Sequence, residues 1–549
     1  MNQRSRFIRK IVYACVIAAL LLPLSWLSQP ATTESQGGVL AQMREENQLS
    51  QATLGEIDPA SETIKLATLG LRGVAANVLW EKANDYKKRE DWTSLSATLE
   101  QIAKLQPNFI SVWIYQGWNL SYNISVEFDD YHDRYYWVIK GVDFLKEGTK
   151  YNTREPRLMS EIGMTIAQKI GKADEHVQFR RLFREDDDFN GSLPRSQRDN
   201  WLVGRQWLVD AEKMVDQEGV PIRGKSPLLF HSHAPMCLIN YCEALEEEGT
   251  FGEVARNAWR RAAESWEQFS NRDLPTQYNM FVRLADKERY DEMAKTARAE
   301  LEKLTPAGLV DQIKLEKIAA LDKSQREAYN AAPDERTDEQ RQLVFMIEDS
   351  LKVKPQEIAD RIQGENHAAA VRAAEDAANA EFIAHAIDNE RDIVNYGYWQ
   401  RRCQIEPQDD TLEARKKIYD ADQAFLDADL GKARQLYDEG MVKWRSVLDA
   451  NTVMLTDPSL VDELSSSIDR YRAVLHQLDE PFPPTFILRD VLEKQQSYTG
   501  RPLPPSLQAP PENKPAEGKP AEGSTPAEPA PAEKPATETP SAEKPSTES

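Results

Sequence analysis

Apolar residues in this chain recur at helical rather than strand spacing. Ile64, Leu71, Val74 and Val78 stand seven, three and four apart, which predicts one long helix over 60–89. A second helix follows with Leu95, Leu99 and Ile102 on one side, and Pro107 ends it. Farther on, the same spacing predicts helices over 158–170 and over 199–218, the latter with Trp201, Leu208 and Val215 aligned. Residues 219–235 are punctuated by Gly and Pro and read as extended. Helices over 236–248 and 253–269 then form a hairpin that turns at Gly249. Residues 322–337 read as a polar connector, followed by helices over 338–353, 355–363 and 367–390. A last group opens at Tyr396 and runs through 412–448. No alternating apolar run reaches useful strand length, so the expected fold class is all-α.

A longer period overlies the helical one. With Trp92 at position 17 of a 34-residue unit, Leu79 falls at 4, Ala83 at 8, Tyr86 at 11, Leu95 at 20, Leu99 at 24, Ile102 at 27 and Pro107 at 32. The next unit begins at Ile110 and places Trp113 at 4, Gln116 at 7, Gly117 at 8 and Leu120 at 11. Ala255, Trp259 and Ala262 repeat the 20/24/27 spacing, as do Ala433, Tyr437 and Gly440. This pattern resembles tetratricopeptide-repeat (TPR) packing, in which small residues let two helices approach and large ones fill the gaps. The layout also resembles bacterial membrane-anchored, TPR-like proteins of the cell envelope. The resemblance implies a degenerate TPR-like array of helical hairpins, an α-solenoid, that scaffolds or binds protein and peptide partners. It implies no catalytic residue and no cofactor. Two departures bend or break the expected array: an acidic, aromatic insertion from Glu127 to Trp137, and a charged stretch from 279 in which Trp disappears.

Composition changes the picture at both ends. Arg4, Arg6, Arg9 and Lys10 form a basic N-terminus (1–10) ahead of an uncharged run at 11–28. That run reads as one transmembrane anchor with its basic flank in the cytoplasm and the body outside it. A cleaved signal peptide is the competing reading, against which Pro30 spoils the small-x-small site. The expected organisation continues with a juxtamembrane spacer (29–59), a TPR-like domain (60–278), a charged helical segment (279–395) and C-terminal hairpins (396–499). Residues 500–549 form a Pro/Glu/Ala-rich tail; 13 of the 31 prolines lie beyond residue 500, and this composition predicts disorder. Net charge is −22, and the body between the two ends carries −23. So acidic a surface repels phosphate backbones, which excludes nucleic acid and favours basic partners. Four cysteines supply no disulfide framework, although Cys403 could meet Cys237 or Cys242.

Candidate chemistry is sparse, and no phosphate loop or nucleophile elbow occurs. Tyr115, Trp118 and Tyr122 stand at i, i+3 and i+7 on one helical face, an expected partner-binding groove. The alternative is that this face packs on the inserted Tyr131–Trp137 segment. For metal chemistry the sequence offers His231-x-His233-x3-Cys237. Two histidines at i and i+2 of an extended segment point the same way, and Cys237 just inside a helix opened by Pro235 closes a Zn²⁺ or Cu²⁺ site. The plainer account makes them loop and core residues. Glu127, Asp129, Asp130, His132 and Asp133, and separately Asp186, Asp187 and Asp188, are acidic clusters without the spacing of a calcium loop.

Overall fold

The computed structural model describes residues 72–508 continuously, with isolated positions between Val12 and Met43. The basic N-terminus, most of the 11–28 anchor and of the 29–59 spacer, the start of the first helix and the tail beyond 508 lie outside the described residues. Among the described residues no helix is long and apolar enough to cross a membrane. The fold there is all-α apart from one two-residue hairpin, Leu274–Pro275 paired antiparallel with Phe281–Val282.

Helices α1 (Arg72–Lys88) and α2 (Trp92–Leu105) form the first hairpin. Its register residues do what their sizes predict: Ala83, Leu95, Leu99 and Ile102 are buried between the helices. Asp91 caps α2 by accepting from the Ser94 amide, and Glu90 takes a left-handed φ of 57° in the turn. Helix α3 (Ile110–Trp118) continues through a π-turn at Asn119–Ile124 and pairs with α4 (Tyr131–Tyr151). From Tyr131 onward the insertion is helix, and Phe128–Asp130 form the link between the two arms. Asp130 caps α4, so α4 starts at Tyr131 and the inserted residues lengthen both arms of the second hairpin. Gly141, Leu145 and Gly148 then resume the packing. A Cβ on Gly117 would meet Leu145 at 2.5 Å, and one on Gly148 would meet Trp113 at 2.8 Å.

Pro156 opens α5 (Pro156–Met164), which runs on through a π-turn to Lys172, and α6 (His176–Glu185) folds back on it. Helix α7 (Asn200–Asp216) crosses α5 where Gly163 and Gly204 face each other's carbonyls. Helices α8 (Pro227–Glu247) and α9 (Glu253–Ser270) form the next hairpin, with Ala255, Trp259 and Ala262 buried. The expectation of an extended 219–235 is overturned from Pro227 onward. Leu228, Phe230, His231 and Ala234 are all buried, and this burial extends the helix upstream of Pro235. Pro235 thus lies inside α8, where it cannot donate to the His231 carbonyl.

The charged stretch is an excursion with a small core of its own. Its long antiparallel pair is α10 (Lys287–Leu304) and α15 (His367–Ile393), joined through α11 (Leu309–Ala320), α12 (Lys323–Asn330), α13 (Asp338–Leu351) and α14 (Pro355–Ala359). Helix α12 occupies much of the expected polar connector, and Asp322 and Gln325 close its capping box. Ala370, Ala374 and Ala377 are fully buried, so α15 packs through small side chains. The chain returns at α16 (Tyr396–Ile405), where Tyr396 stacks on Trp266 of α9 at 5.8 Å. Helices α17 (Asp409–Leu426), α18 (Leu430–Ala450), α19 (Pro458–Gln477) and α20 (Arg489–Thr499) enclose the last core around Tyr437, Trp444 and Tyr471.

Candidate functional site

The first helices of successive hairpins lie side by side and share an aromatic strip. Phe109 and Trp80 are 6.2 Å apart between ring centroids, Trp80 and Tyr115 5.8 Å, Tyr115 and Trp118 6.3 Å. Trp118 and Tyr122 stack at 6.0 Å and 18°. Five rings from α1, the turn before α3, α3 itself and the π-turn that continues it thus form one row. Cations close it at two points: Lys87 lies 5.5 Å from the Tyr115 ring and Lys169 of α5 4.9 Å from Tyr122. Trp118 is 44% exposed and Phe109 40%, while Trp80, Tyr115 and Tyr122 are half-buried, so the row lies along the edge of the core with Trp118 and Phe109 facing solvent. Burial, with the Glu161 carboxylate nearby, pushes the Tyr122 phenol up to about 12, and it stays neutral and able to donate.

The flanks of α3 and of the π-turn that follows it are held by polar contacts. Gln116 donates to Ser96, Asn119 to Gln116 at 3.4 Å and Asn123 to Asn119 at 2.9 Å. Ser121 donates to the Val138 carbonyl at 3.2 Å. Gln116, Asn119 and Ser121 have no solvent exposure, so this ladder orients the helix that carries the rings.

Rings of the inserted segment find other partners. Trp137 stacks on Phe128 at 5.9 Å, Tyr131 on His132 at 4.1 Å, and buried Tyr135 donates to Asp186 at 3.0 Å. They help to build a cleft of about 670 Å³ between α2 and α4, which sequence reasoning missed. Its floor includes Trp92, Leu120, Phe128, Trp137 and Phe144, and Glu100 and Glu147 stand on its edge. The signal was present: Trp92, Ser96 and Glu100, four residues apart, mark the face of α2 turned away from α1.

The acidic clusters are engaged within the fold. Glu127 accepts from the Trp92 indole at 2.9 Å, and Asp130 holds the His132 amide and ring. Asp186 accepts from the Phe189 amide, and Asp187 pairs with Arg198 at 2.5 Å.

His231, His233 and Cys237 do not converge. On a helix, residues two apart project about 200° apart, so the i, i+2 argument fails once the segment is helical. His231 faces Glu212 and Asp216 of α7. His233 lies elsewhere, where burial and nearby Lys225 hold its pKa down at about 4 and keep it neutral. Cys237 is buried near Arg205, and burial pushes its thiol up to about 12. Cys242 and Cys403 are also free and buried, so neither bridges the other.

A further concentration of charge joins α8 to the C-terminal helices. Arg402 of α16 and Arg415 of α17 are buried among Glu243 and Glu246 of α8, Glu406, and Glu463 of α19. Arg415 contacts Glu406 and Glu463 at 2.5 Å each, and Arg402 contacts Glu243 at 2.8 Å. Trp259 donates its indole N–H to Glu246 at 2.7 Å. Four carboxylates around two guanidiniums leave an excess of acid. Burial answers it by pushing Glu246 up to about 7.

The chain matches no family model, no curated protein and no solved structure.

Proposed function

We propose that this chain is a membrane-anchored, TPR-like helical scaffold that captures protein or peptide partners at the cell envelope. The observation that carries the reading is exposed Trp118 between half-buried Tyr115 and Tyr122, a row extended by Trp80 and Phe109 across two hairpins. Rings with polar tips supply large contact area at small entropic cost, and Trp118 is the central anchor. The 34-residue register and the buried small residues at its close-packing positions support the TPR-like part. The basic N-terminus and the uncharged run at 11–28 support anchoring, with the N-terminus in the cytoplasm and the body beyond the membrane. Anchoring raises the effective concentration of the body for partners in the same membrane plane.

Cross-linking in cells followed by pull-down tests the binding surface. Trp118→Ala is expected to weaken partner capture at least about tenfold, about 1.4 kcal/mol, without changing the unfolding midpoint. Capture that survives Trp118→Ala and Tyr122→Ala together, with folding intact, overturns the assignment to this face. Labelling a cysteine placed beyond Arg501 with an impermeant reagent tests the topology. Reaction from the outer side is expected, and protection in intact cells with reaction after lysis reverses the orientation.

A further inference from the structure

Glu212 and Asp216 stand four residues apart on α7, so their side chains stack on one face. Helix α8 presents His231 to that face. His231 Nδ1 is 3.8 Å from Glu212 Oε1, and His231 Nε2 is 3.8 Å from Asp216 Oδ1. Both separations are too long for hydrogen bonds. His231 is only 7% exposed, yet its Nδ1 and the Glu212 Oε1 that it faces both lack a hydrogen-bond partner. Two desolvated polar atoms aimed at each other across a gap call for something between them.

The remaining carboxylate oxygens are occupied. Arg272, just beyond α9, donates to Glu212 Oε2 at 3.0 Å and to Asp216 Oδ2 at 2.6 Å. It fixes both carboxylates from behind and leaves Oε1 and Oδ1 turned toward the imidazole. Phe230 sets its ring edge-on to His231 at 5.0 Å. Ligands oriented by an outer layer of hydrogen bonds are the mark of a metal site.

We propose that Glu212, Asp216 and His231 bind a divalent first-row transition metal that pins α7 to α8. One donor atom from each residue lies within 4.8 Å of the other two. Drawing them onto a metal at about 2.0–2.2 Å asks only for small side-chain adjustments. One imidazole and two carboxylates, with no thiolate, suit Zn²⁺ or Mn²⁺ better than Cu⁺. Asp216 reaches the surface, which gives the ion a route in and leaves room for water ligands. The site is separate from the aromatic strip and does not depend on it.

Zn²⁺ alone is the probe, titrated calorimetrically into the full-length chain after chelator treatment. One Zn²⁺ per chain is expected. Affinity should fall at least tenfold in Asp216→Asn and in His231→Gln, and stay unchanged in Cys237→Ser. Asp216 lies at the surface, so its variant keeps the test decisive if the His231 variant misfolds. Co²⁺ in place of Zn²⁺ should give visible d–d bands without thiolate charge transfer. No stoichiometric binding by the parent chain, full affinity in Asp216→Asn, or a thiolate band would each overturn the site.

Discussion

At Gly141 one hydrogen atom decides how closely two helices approach. A Cβ there would meet the Gly117 carbonyl oxygen at 2.6 Å and collide with Ser121 Oγ. Backbone cannot move aside as a flexible side chain can, so Gly141→Ala should destabilise the chain by about 2–3 kcal/mol in urea unfolding. Gly431, on the first turn of α18, has nothing within 4 Å of the same position. Gly431→Ala should leave stability unchanged or raise it by up to about 1 kcal/mol. The two substitutions are chemically identical and should differ in sign. The register in the sequence marks Gly117 as a close-packing residue. It resumes after the insertion at Gly141, Leu145 and Gly148, with 24 residues between Gly117 and Gly141 where the first hairpin needs only 12 between Ala83 and Leu95.

Elements show how local signals are overruled. Pro235 reads as the opening of a helix because proline suits a first turn. The helix instead opens at Pro227, and burial of Leu228, Phe230 and Ala234 outweighs an interior proline that costs about 3 kcal/mol. That change of secondary structure separates His233 and Cys237 from His231, and brings His231 to α7. Long-range pairing governs Arg415 as well. It holds Glu406, whose side chain is 1% exposed, together with Glu463 from a different hairpin. Arg415→Leu leaves Arg402 as the one guanidinium among the buried carboxylates and should cost about 3–5 kcal/mol, read from the shift in urea midpoint. Arg415→Leu combined with Glu406→Leu should recover part of that loss, because the most buried of the carboxylates that Arg415 pairs is then removed with it.

Across the whole molecule, the same charges set how stability responds to pH. Burial holds the Glu246 carboxyl up at about 7, against an ordinary value near 4.5 in the unfolded chain. The folded state binds this proton more tightly, so the contribution of Glu246 is most favourable below about pH 4.5 and declines as pH rises through 7. Glu246→Gln mimics the protonated form, and its stability relative to the parent should be higher at pH 8 than at pH 5 in urea unfolding at fixed salt. Glu463 runs the other way. Against the effect of burial, Arg415 and Arg402 hold it down at about 2, so its contribution is complete above pH 4.5 and is lost as pH falls toward 2. Much of the architecture was legible in the chain itself. Helical periodicity, small residues at close-packing positions, capping residues and the absence of alternating runs are local properties, and they suffice for an all-α chain of paired helices. The aromatic face of Tyr115, Trp118 and Tyr122 was legible for the same reason, since three residues on one helix share a side wherever that helix lies. What those rings meet, which way the insertion turns, where α8 begins and which carboxylates reach His231 are questions of contact between segments far apart in sequence. Tertiary packing alone decided them, because burial and long-range charge pairing outweigh the local preference of any single residue.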